Sequence, residues 1–434
     1  MDRLQELRAE IDRIDAALAG LFQERMTVAA EIAAQKQARG LPVRDPERER
    51  AILEKLPARM PEPTLRPYYA RLQDCLLELS RAYQTALLPR TDADEARIFT
   101  DYPVVIKRGA LARAGDLFRL DRRVFLVTDS GVPAAYVKAL AAQCAHHTIF
   151  TLPQGEQSKS LEQLANVWEA MLRHGLTRQD CVLAVGGGKV GDLAGFAAAC
   201  FMRGVDFYNV PTTLLAMADA AVGGKTAVNF AGTKNPIGAF WRPKAVLMDP
   251  EVLGTLPARQ MSNGMAEILK LGLTLDPSLF ARFEEPAGPG DLEALITRAV
   301  ALKQSVVEQD EREAGLRRVL NFGHTLGHGI EAAQSGRGAL LHGECVALGM
   351  LPLCGPAVRA RLLPVLEGLE LPTTVSVDVE AVLAAVAHDK KAGADGIEVV
   401  TVPELGRWQL EKMTLSQLRE RLQTLLPQGG IQNA

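Results

Sequence analysis

At 434 residues the chain is too long for one ordinary hydrophobic core and suits two or three domains. With 47% hydrophobic and 23% charged residues it should fold throughout, and a formal net charge of −3 leaves no basic excess for nucleic acid or a membrane surface. The longest apolar run, Leu193 to Met202, is about half a membrane span and is closed by Asp192 and Arg203.

The six cysteines (Cys75, Cys144, Cys181, Cys200, Cys345, Cys354) are scattered and form no CxxC pair, as suits reduced thiols in a cytoplasmic protein. The N-terminus is charged from Asp2 onward and lacks the apolar stretch of a signal peptide.

In chain order, Leu4, Leu7, Ile11, Ile14, Leu18 and Leu21 recur in steps of three and four, which predicts one long helix over 4–38. Val28 and Ile32 continue the seam, but Arg25 puts a cation where an apolar residue is expected. Such a helix spans roughly 50 Å. Its module holds only about 90 residues, so a partner chain should cover it and the protein should be at least a dimer. Gly40, Leu41 and Pro42 break the helix, a second is expected over 45–56, and four prolines between 57 and 67 make a connection. A third helix is expected from Tyr68 to about Leu88, and the polar segment PRTDADEA is the natural linker.

Eleven residues turn a helix about three times, so Arg25 and Lys36 point the same way and suit an anion with two charges. Asp45 and Glu49 sit four apart beside Arg48, as do Ser80 and Gln84 on the third helix. Any one of these residues alone is equally a solvated charge on a helical dimerisation module.

As a set, in LRAEIDRID, ERMTVAAEIAAQK, VRDPERER and ELSRAYQ, they resemble the all-helical chorismate mutase family over residues 4–88. The resemblance implies an intertwined dimer of three-helix modules. Arg8 from the other protomer, Arg25 and Arg48 would hold the two carboxylates of chorismate, with Ser80 on one of them. Lys36 and Gln84 would address the ether oxygen, and Glu49 and Asp45 the hydroxyl end. Lys36, Gln84 and Glu49 would be the catalytic groups. Claisen rearrangement to prephenate is concerted, so a protein need only hold the reactive conformer and stabilise charge on the breaking C–O bond. Two other readings remain. One is a regulatory sensor of chorismate or prephenate; the other is a plain coil, whose apolar seam should continue through position 25.

From Arg97 the texture changes to short strands alternating with helical runs: RVFLV at 123–127, HTIFTL at 147–152, CVLAV at 181–185, DFYNV at 206–210 and AVLMD at 245–249. That alternation predicts a mainly parallel sheet with covering helices. After about Leu256 strand runs nearly vanish. The expected fold is multidomain: an all-α module over 1–90, a linker over 91–98, a nucleotide-type, Rossmann-like α/β domain over 99–255 and a mostly α-helical domain over 256–434. The larger site should lie in the cleft between the last two.

In CVLAVGGGKVGDLAGFAAACF, Gly186, Gly188 and Gly191 satisfy G-x-G-x-x-G between a strand and a helix start, which lets backbone N–H groups approach a pyrophosphate. Asp206 begins the next strand instead of ending it, so this is no ordinary Rossmann half. Gly223 to Thr226 imitates the end of a P-loop, but the required earlier glycine is Asp219. Three of the seven histidines cluster, His324 and His328 in LNFGHTLGHGIE and His342 in LLHGECVALGM, and Glu267 in NGMAEILK offers a carboxylate. Two histidines, a carboxylate and an open position are what a catalytic Zn²⁺ requires. Satisfied core histidines are the alternative.

These segments, with PQGEQSKS, VPTTLLAMADAAVGGKTAVN, GTKNPIGAF and DEREAGLRRVLNFGHTLGHGIE, resemble 3-dehydroquinate synthase from about residue 100 to 420. The resemblance implies Zn²⁺, or Co²⁺ in its place, on Glu267, His324 and His342, with His328 left to act on substrate. It implies NAD at Asp129, Glu156, Lys159, Gly187, Gly188, Asp192, Thr212, Thr213, Lys234, Thr255 and Asn263. A small anionic substrate would meet Arg203, Asp219, Lys225, Asn235, Lys270, Lys303, Arg317, Asn321, His328 and a lysine of the HDKK segment, Lys390 or Lys391. Catalysis would fall to Lys225, Arg317 and Asn321, with Glu313 and His328 sharing proton transfer.

The implied reaction oxidises C5 of a seven-carbon sugar acid phosphate, eliminates phosphate, returns the hydride and closes a carbocycle by aldol addition. Ala220 and Ala221 stand where serines are common, Ser130 and Gly131 replace a D-x-N turn, and Lys189 enters the glycine loop. The alternatives are another sugar-phosphate cyclase, or a polyol dehydrogenase that stops after oxidation. Lys303, Arg317 and Asn321, as carboxylate- and phosphate-directed groups, favour dehydroquinate.

Overall fold

The change of texture near residue 95 separates two units, Met1–Asp94 and Glu95–Ala434. The computed structural model describes residues 3–38, 48, 51–52, 55, 60–87, 96–99, 102–311, 313, 315–334, 339–389 and 396–427. Among the described residues no helix is long and apolar enough to cross a membrane.

In the first unit the seam pattern builds a single helix, Arg3–Ala38, with Glu6 in its first turn and Lys36 in its last, each of the sign that the helix dipole favours. A second helix runs Arg66–Leu87, entered through the turn Pro63–Leu65, where the Glu62 carboxylate accepts from Thr64 N–H. The helix expected over 45–56 lies largely outside the described residues, as do Asp45 and Glu49. Ala29 and Ala33, one turn apart, are buried in the contact between the two helices, where their small side chains permit close approach. The apolar seam is not covered: Leu18 is 53% exposed, Leu21 61% and Val28 55%.

The second unit is organised by a seven-stranded sheet. Its strands are β1 (Ala96–Phe99), β2 (Pro103–Ile106), β3 (Arg123–Asp129), β4 (His146–Leu152), β5 (Cys181–Gly186), β6 (Asp206–Pro211) and, beyond a hairpin, β9 (Ala245–Met248). The order is β1-β2-β9-β6-β5-β3-β4, parallel except for β1 on β2. All five expected strands are present. Side-chain alternation assigns β3 to two cores: Val124 and Leu126 join the one shared with the C-terminal helices, while Phe125 and Val127 join the one under helices Leu161–Arg173 and Gly188–Cys200. Every residue of β5 is buried, as a strand covered on both faces must be. From β3 the chain steps outward to β4 and returns to β5 on the other side, so the order reverses between the ends of β3 and β5.

Two hairpins were not expected. The first pairs β7 (Lys225–Phe230) with β8 (Thr233–Phe240); the second pairs β10 (Ile397–Glu404) with β11 (Arg407–Met413) across a turn where Gly406 adopts φ 74°. The remaining helices include Ala258–Thr274, Leu292–Gln309, His324–Ala333 and His342–Met350, and their apolar faces continue the sheet's core without a break.

Two glycines set how closely the last of these helices docks. A Cβ on Gly343 would lie 2.0 Å from the Asn263 carbonyl oxygen, and one on Gly349 would lie 2.0 Å from the Gly323 carbonyl oxygen. Both obstacles are backbone, so neither can move aside cheaply. Gly349→Ala should cost about 3 kcal/mol of stability or more by overpacking, read as a lower thermal unfolding midpoint. Gly254→Ala, whose new methyl would meet nothing within 4 Å, should leave the midpoint in place.

Candidate active sites

Three helices converge on one carboxylate oxygen. Glu267 lies inside Ala258–Thr274, His324 opens His324–Ala333 and His342 opens His342–Met350. Glu267 is 1% exposed, and its Oε2 is held by the Lys270 ammonium one turn on. Its Oε1 is buried with no hydrogen-bond partner, while Nε2 of His324 and Nε2 of His342 each stand 3.5 Å away. His324 Nδ1 lies 3.1 Å from the Phe322 carbonyl oxygen, and His342 Nδ1 lies 3.4 Å from Glu331 Oε2. His328 completes the group, since the three histidines can each bring a ring nitrogen within 4.8 Å of the others'.

Burial pushes Glu267 up, but Lys270, His324 and His342 outweigh it and hold the carboxyl well below its usual range. Burial and the Lys270 charge drive His324 well down, so its imidazole is neutral. Burial also pushes His342 down, yet Glu267 and Glu331 outweigh it and lift this ring to about 9. The pocket therefore favours positive charge on its histidine side. An ionised oxygen that makes no hydrogen bond, faced by two imidazole nitrogens whose other nitrogens are pinned, fits a tetrahedral divalent cation.

At the sheet's reversal point, β5 ends at Gly186 and the helix Gly188–Cys200 begins after Gly187. Gly187, Gly188 and Lys189 are partly exposed between fully buried neighbours, so the helix N-terminus opens to solvent. A Cβ on Gly188 would approach Ala220 to 2.9 Å, and one on Gly187 would approach Thr213 to 3.3 Å. Thr212 N–H bonds the Gly186 carbonyl. These features fit a dinucleotide phosphate cradle.

The other residues expected around the cofactor occupy distinct pairings. Asp129, at the end of β3, accepts from Gly131 N–H at 2.7 Å and faces the Lys189 ammonium at 3.1 Å. Lys159 bonds Asp192 at 2.6 Å and also the Asn235 side chain. Burial lifts Asp192 to about 6 against the pull of Lys159. Glu156 accepts from Asn229, Thr255 meets the Tyr136 hydroxyl at 3.0 Å, and Asn263 accepts from Gly343 N–H. Lys234 reaches the Glu331 carboxylate.

Of the substrate set, Asp219 sits in a π-turn over Ala216–Ala220 and takes Lys303 on its Oδ1 at 2.7 Å. Burial would raise Asp219, but Lys303 and Lys270 outweigh it and keep it low. Glu313 joins Lys225 and Asn321 at 2.5 Å each. Burial would raise Glu313 too, but these two hydrogen bonds hold it below its usual value. Arg317 donates to the Glu311 carbonyl at 2.6 Å and lies against Gly223, where a Cβ would meet the guanidinium at 2.8 Å and where the φ of 105° is one that L side chains rarely adopt. Asp192, Ala220, Ala221 and Lys225 line one cavity, so the two alanines enlarge the space beside Lys225. Arg203 stands exposed with φ 67° at a turn, and Lys390 and Lys391 lie outside the described residues.

In the first unit Gln84 donates to Ser80 Oγ at 3.1 Å, and its own Oε1 is buried without a partner. Arg25 and Lys36 are half-buried on the face that carries Ala29 and Ala33, while Arg8 and Arg48 are exposed. Glu331, seven residues beyond His324 and so on the same helix face, is not among the residues expected from sequence.

Family models match in three places: chorismate mutase type II over residues 7–85, 3-dehydroquinate synthase N-terminal over 149–263 and 3-dehydroquinate synthase C-terminal over 264–392. The 3-dehydroquinate synthase of Streptococcus sanguinis is 40% identical over 343 residues, which is 74% of this chain and 96% of that protein. That of Streptococcus pneumoniae is 38% identical, with the same two coverages. Among solved structures, the 2-epi-5-epi-valiolone synthase of Streptomyces hygroscopicus subsp. jinggangensis, with NAD⁺ and Zn²⁺ bound, is 30% identical with a TM-score of 0.68, covering 78% of this chain and 99% of its own. A 2-deoxy-scyllo-inosose synthase complexed with carbaglucose-6-phosphate, NAD⁺ and Co²⁺ is 26% identical with a TM-score of 0.68, covering 75% and 97%. The chain belongs to the 3-dehydroquinate synthase family and carries a type II chorismate mutase domain ahead of the synthase.

Proposed function

We propose that the synthase unit converts 3-deoxy-D-arabino-heptulosonate 7-phosphate to 3-dehydroquinate and phosphate with NAD and a divalent ion, Zn²⁺ or Co²⁺, and that the helical unit converts chorismate to prephenate. The observation that carries the first half is the buried Glu267 Oε1, without a hydrogen bond and facing two imidazole nitrogens. NAD⁺ and Zn²⁺ or Co²⁺ in the two similar cyclases support the cofactors. The names of the curated relatives favour dehydroquinate over the cyclitols of those cyclases.

Glu267, His324 and His342 would hold the metal, and the Gly187–Gly188 turn the pyrophosphate. When bound, the dinucleotide supplies a reversible hydride acceptor and the metal a Lewis acid at the oxidised carbon. The chain's own residues do the rest. Lys225 and Arg317 meet the phosphate and carboxylate, which lets a near-neutral protein take a multiply charged anion. Glu313, kept ionised by Lys225 and Asn321, accepts protons, and His328 shares that work beside the metal ligands. Lys270, paired to the buried Glu267, and Lys303, paired to the partly exposed Asp219, orient the acids around the substrate.

In the mutase unit Gln84 and Lys36 address the ether oxygen, Arg25 and Arg48 the carboxylates, with Arg8 supplied by a second protomer. The exposed apolar seam supports that dimer. The cysteines are all unpaired, which suits a reducing compartment such as the cytoplasm.

Chelation should abolish phosphate release from the sugar acid phosphate and spare prephenate formation, both assayed on one preparation; phosphate release that survives chelation would overturn the metal assignment. Glu313→Gln should lower the synthase kcat by about 10²–10⁴-fold. Because the Lys225 hydrogen bond pulls Glu313 down, Lys225→Ala should move the acid limb of the residual kcat/KM profile to higher pH, and a limb shifted the other way refutes the role. Ile14→Asp, on the uncovered seam, should dissociate the helical units and abolish mutase activity, followed by sedimentation and prephenate absorbance, while the synthase assay holds.

A further inference from the structure

Resting on the metal centre proposed above, we infer that Glu331, itself held by Lys234, is a positioning residue that fixes His342 with its Nε2 aimed at the metal. A neutral imidazole carries one proton, and the partner of one ring nitrogen decides which nitrogen keeps its lone pair. His342 turns Nε2 toward Glu267 Oε1 at 3.5 Å and Nδ1 toward Glu331 Oε2 at 3.4 Å. Both carboxylates can only accept, but a cation held between Nε2 and Glu267 displaces any proton there, so in the metal-bound protein the proton stays on Nδ1 against Glu331 and the lone pair on Nε2.

The two histidines are pinned differently. His324 leans on the Phe322 carbonyl, a backbone group that no side-chain change removes. His342 depends on a side chain from another helix. Glu331 lies two turns beyond His324 on the helix His324–Ala333, so one helix supplies both a metal-facing imidazole and the anchor for the second. The Glu331 carboxylate is largely enclosed, at 14% exposure, and its Oε1 is taken by Lys234 from β8. A cation on the cofactor-side hairpin thereby steadies a carboxylate that orients a group in the helical part.

The test uses the full chain stripped of metal and titrated with Zn²⁺ against a chromophoric chelator. Glu331→Ala should weaken Zn²⁺ binding by about 10–100-fold, the usual effect of losing the partner of a metal-ligating histidine. Glu331→Gln should lose less, because its amide oxygen still accepts from Nδ1–H, and Lys234→Met should lose least. The visible spectrum of the Co²⁺ form should shift in Glu331→Ala, while the unfolding midpoints of the metal-free proteins stay together. Should Glu331→Ala fail to fold, Glu331→Gln decides by the same affinity measurement. Wild-type protein that binds no Zn²⁺ would refute the metal centre itself; wild-type binding matched by the glutamate variants would refute the role of Glu331 alone. A lowered metal-free midpoint with unchanged affinity would make Glu331 merely structural.

Discussion

One buried anion governs the synthase unit. A carboxylate oxygen in a protein interior is costly unless something positive meets it, and Glu267 Oε1 makes no hydrogen bond. Its partner oxygen is neutralised by Lys270, so the local charge is half answered and the unanswered half points at two imidazole nitrogens. That arrangement is poor for an empty core and good for a cation. The tight crossings follow from it: Gly343 against Asn263 and Gly349 against Gly323 let three helices approach closely enough for side chains of ordinary length to share one point.

The sheet imposes the second constraint. Reversal of strand order between β3 and β5 leaves a crevice at their carboxyl ends, and there the chain places its glycine turn, Asp129 and a helix N-terminus. Because the sheet's inner face and the C-terminal helices share one continuous core, the dinucleotide cradle and the carboxylate–histidine cluster are anchored to the same packed interior. Contacts between the two halves are polar as well. Lys303 on Leu292–Gln309 reaches Asp219 in the π-turn, and Lys225 on β7 reaches Glu313.

Much of this is legible from residues alone, for identifiable reasons. Four of the five expected strands, β3, β5, β6 and β9, are short apolar runs buried on both faces, so composition reports them. The edge strand β4 is betrayed by its β-branched and aromatic residues, although most of it is exposed or half-exposed. In the two hairpins, β8 (TKNPIGAF) and β11 (RWQLEKM) escape because each has an exposed face and mixed chemistry. Histidines 324, 328 and 342 announce themselves by scarcity and spacing. Glu331 does not, since an acid on an amphipathic helix is ordinary in sequence and becomes informative only when an imidazole nitrogen is found opposite. Pairings across long separations are equally silent. No spacing rule links Lys189 to Asp129 or Lys234 to Glu331, because the fold, not the helix period, brings them together.

The buried ion pairs invite the question of what they contribute. Glu267, Lys270 and Lys303 are almost wholly enclosed, and Asp219 is two-thirds covered, which removes four charges from most of their water. Desolvation on that scale commonly cancels the attraction gained, so well-packed apolar residues of similar size would hold the same helices together as firmly. Stability therefore does not account for them. Two ammonium groups and two carboxylates fixed beside a metal-fitting cluster do something that apolar residues cannot: they hold preorganised charge whose positions need not change when a ligand arrives. Because Lys270 and Lys303 each carry their own carboxylate, what these pairs contribute to the site is where charge is held rather than a surplus of it.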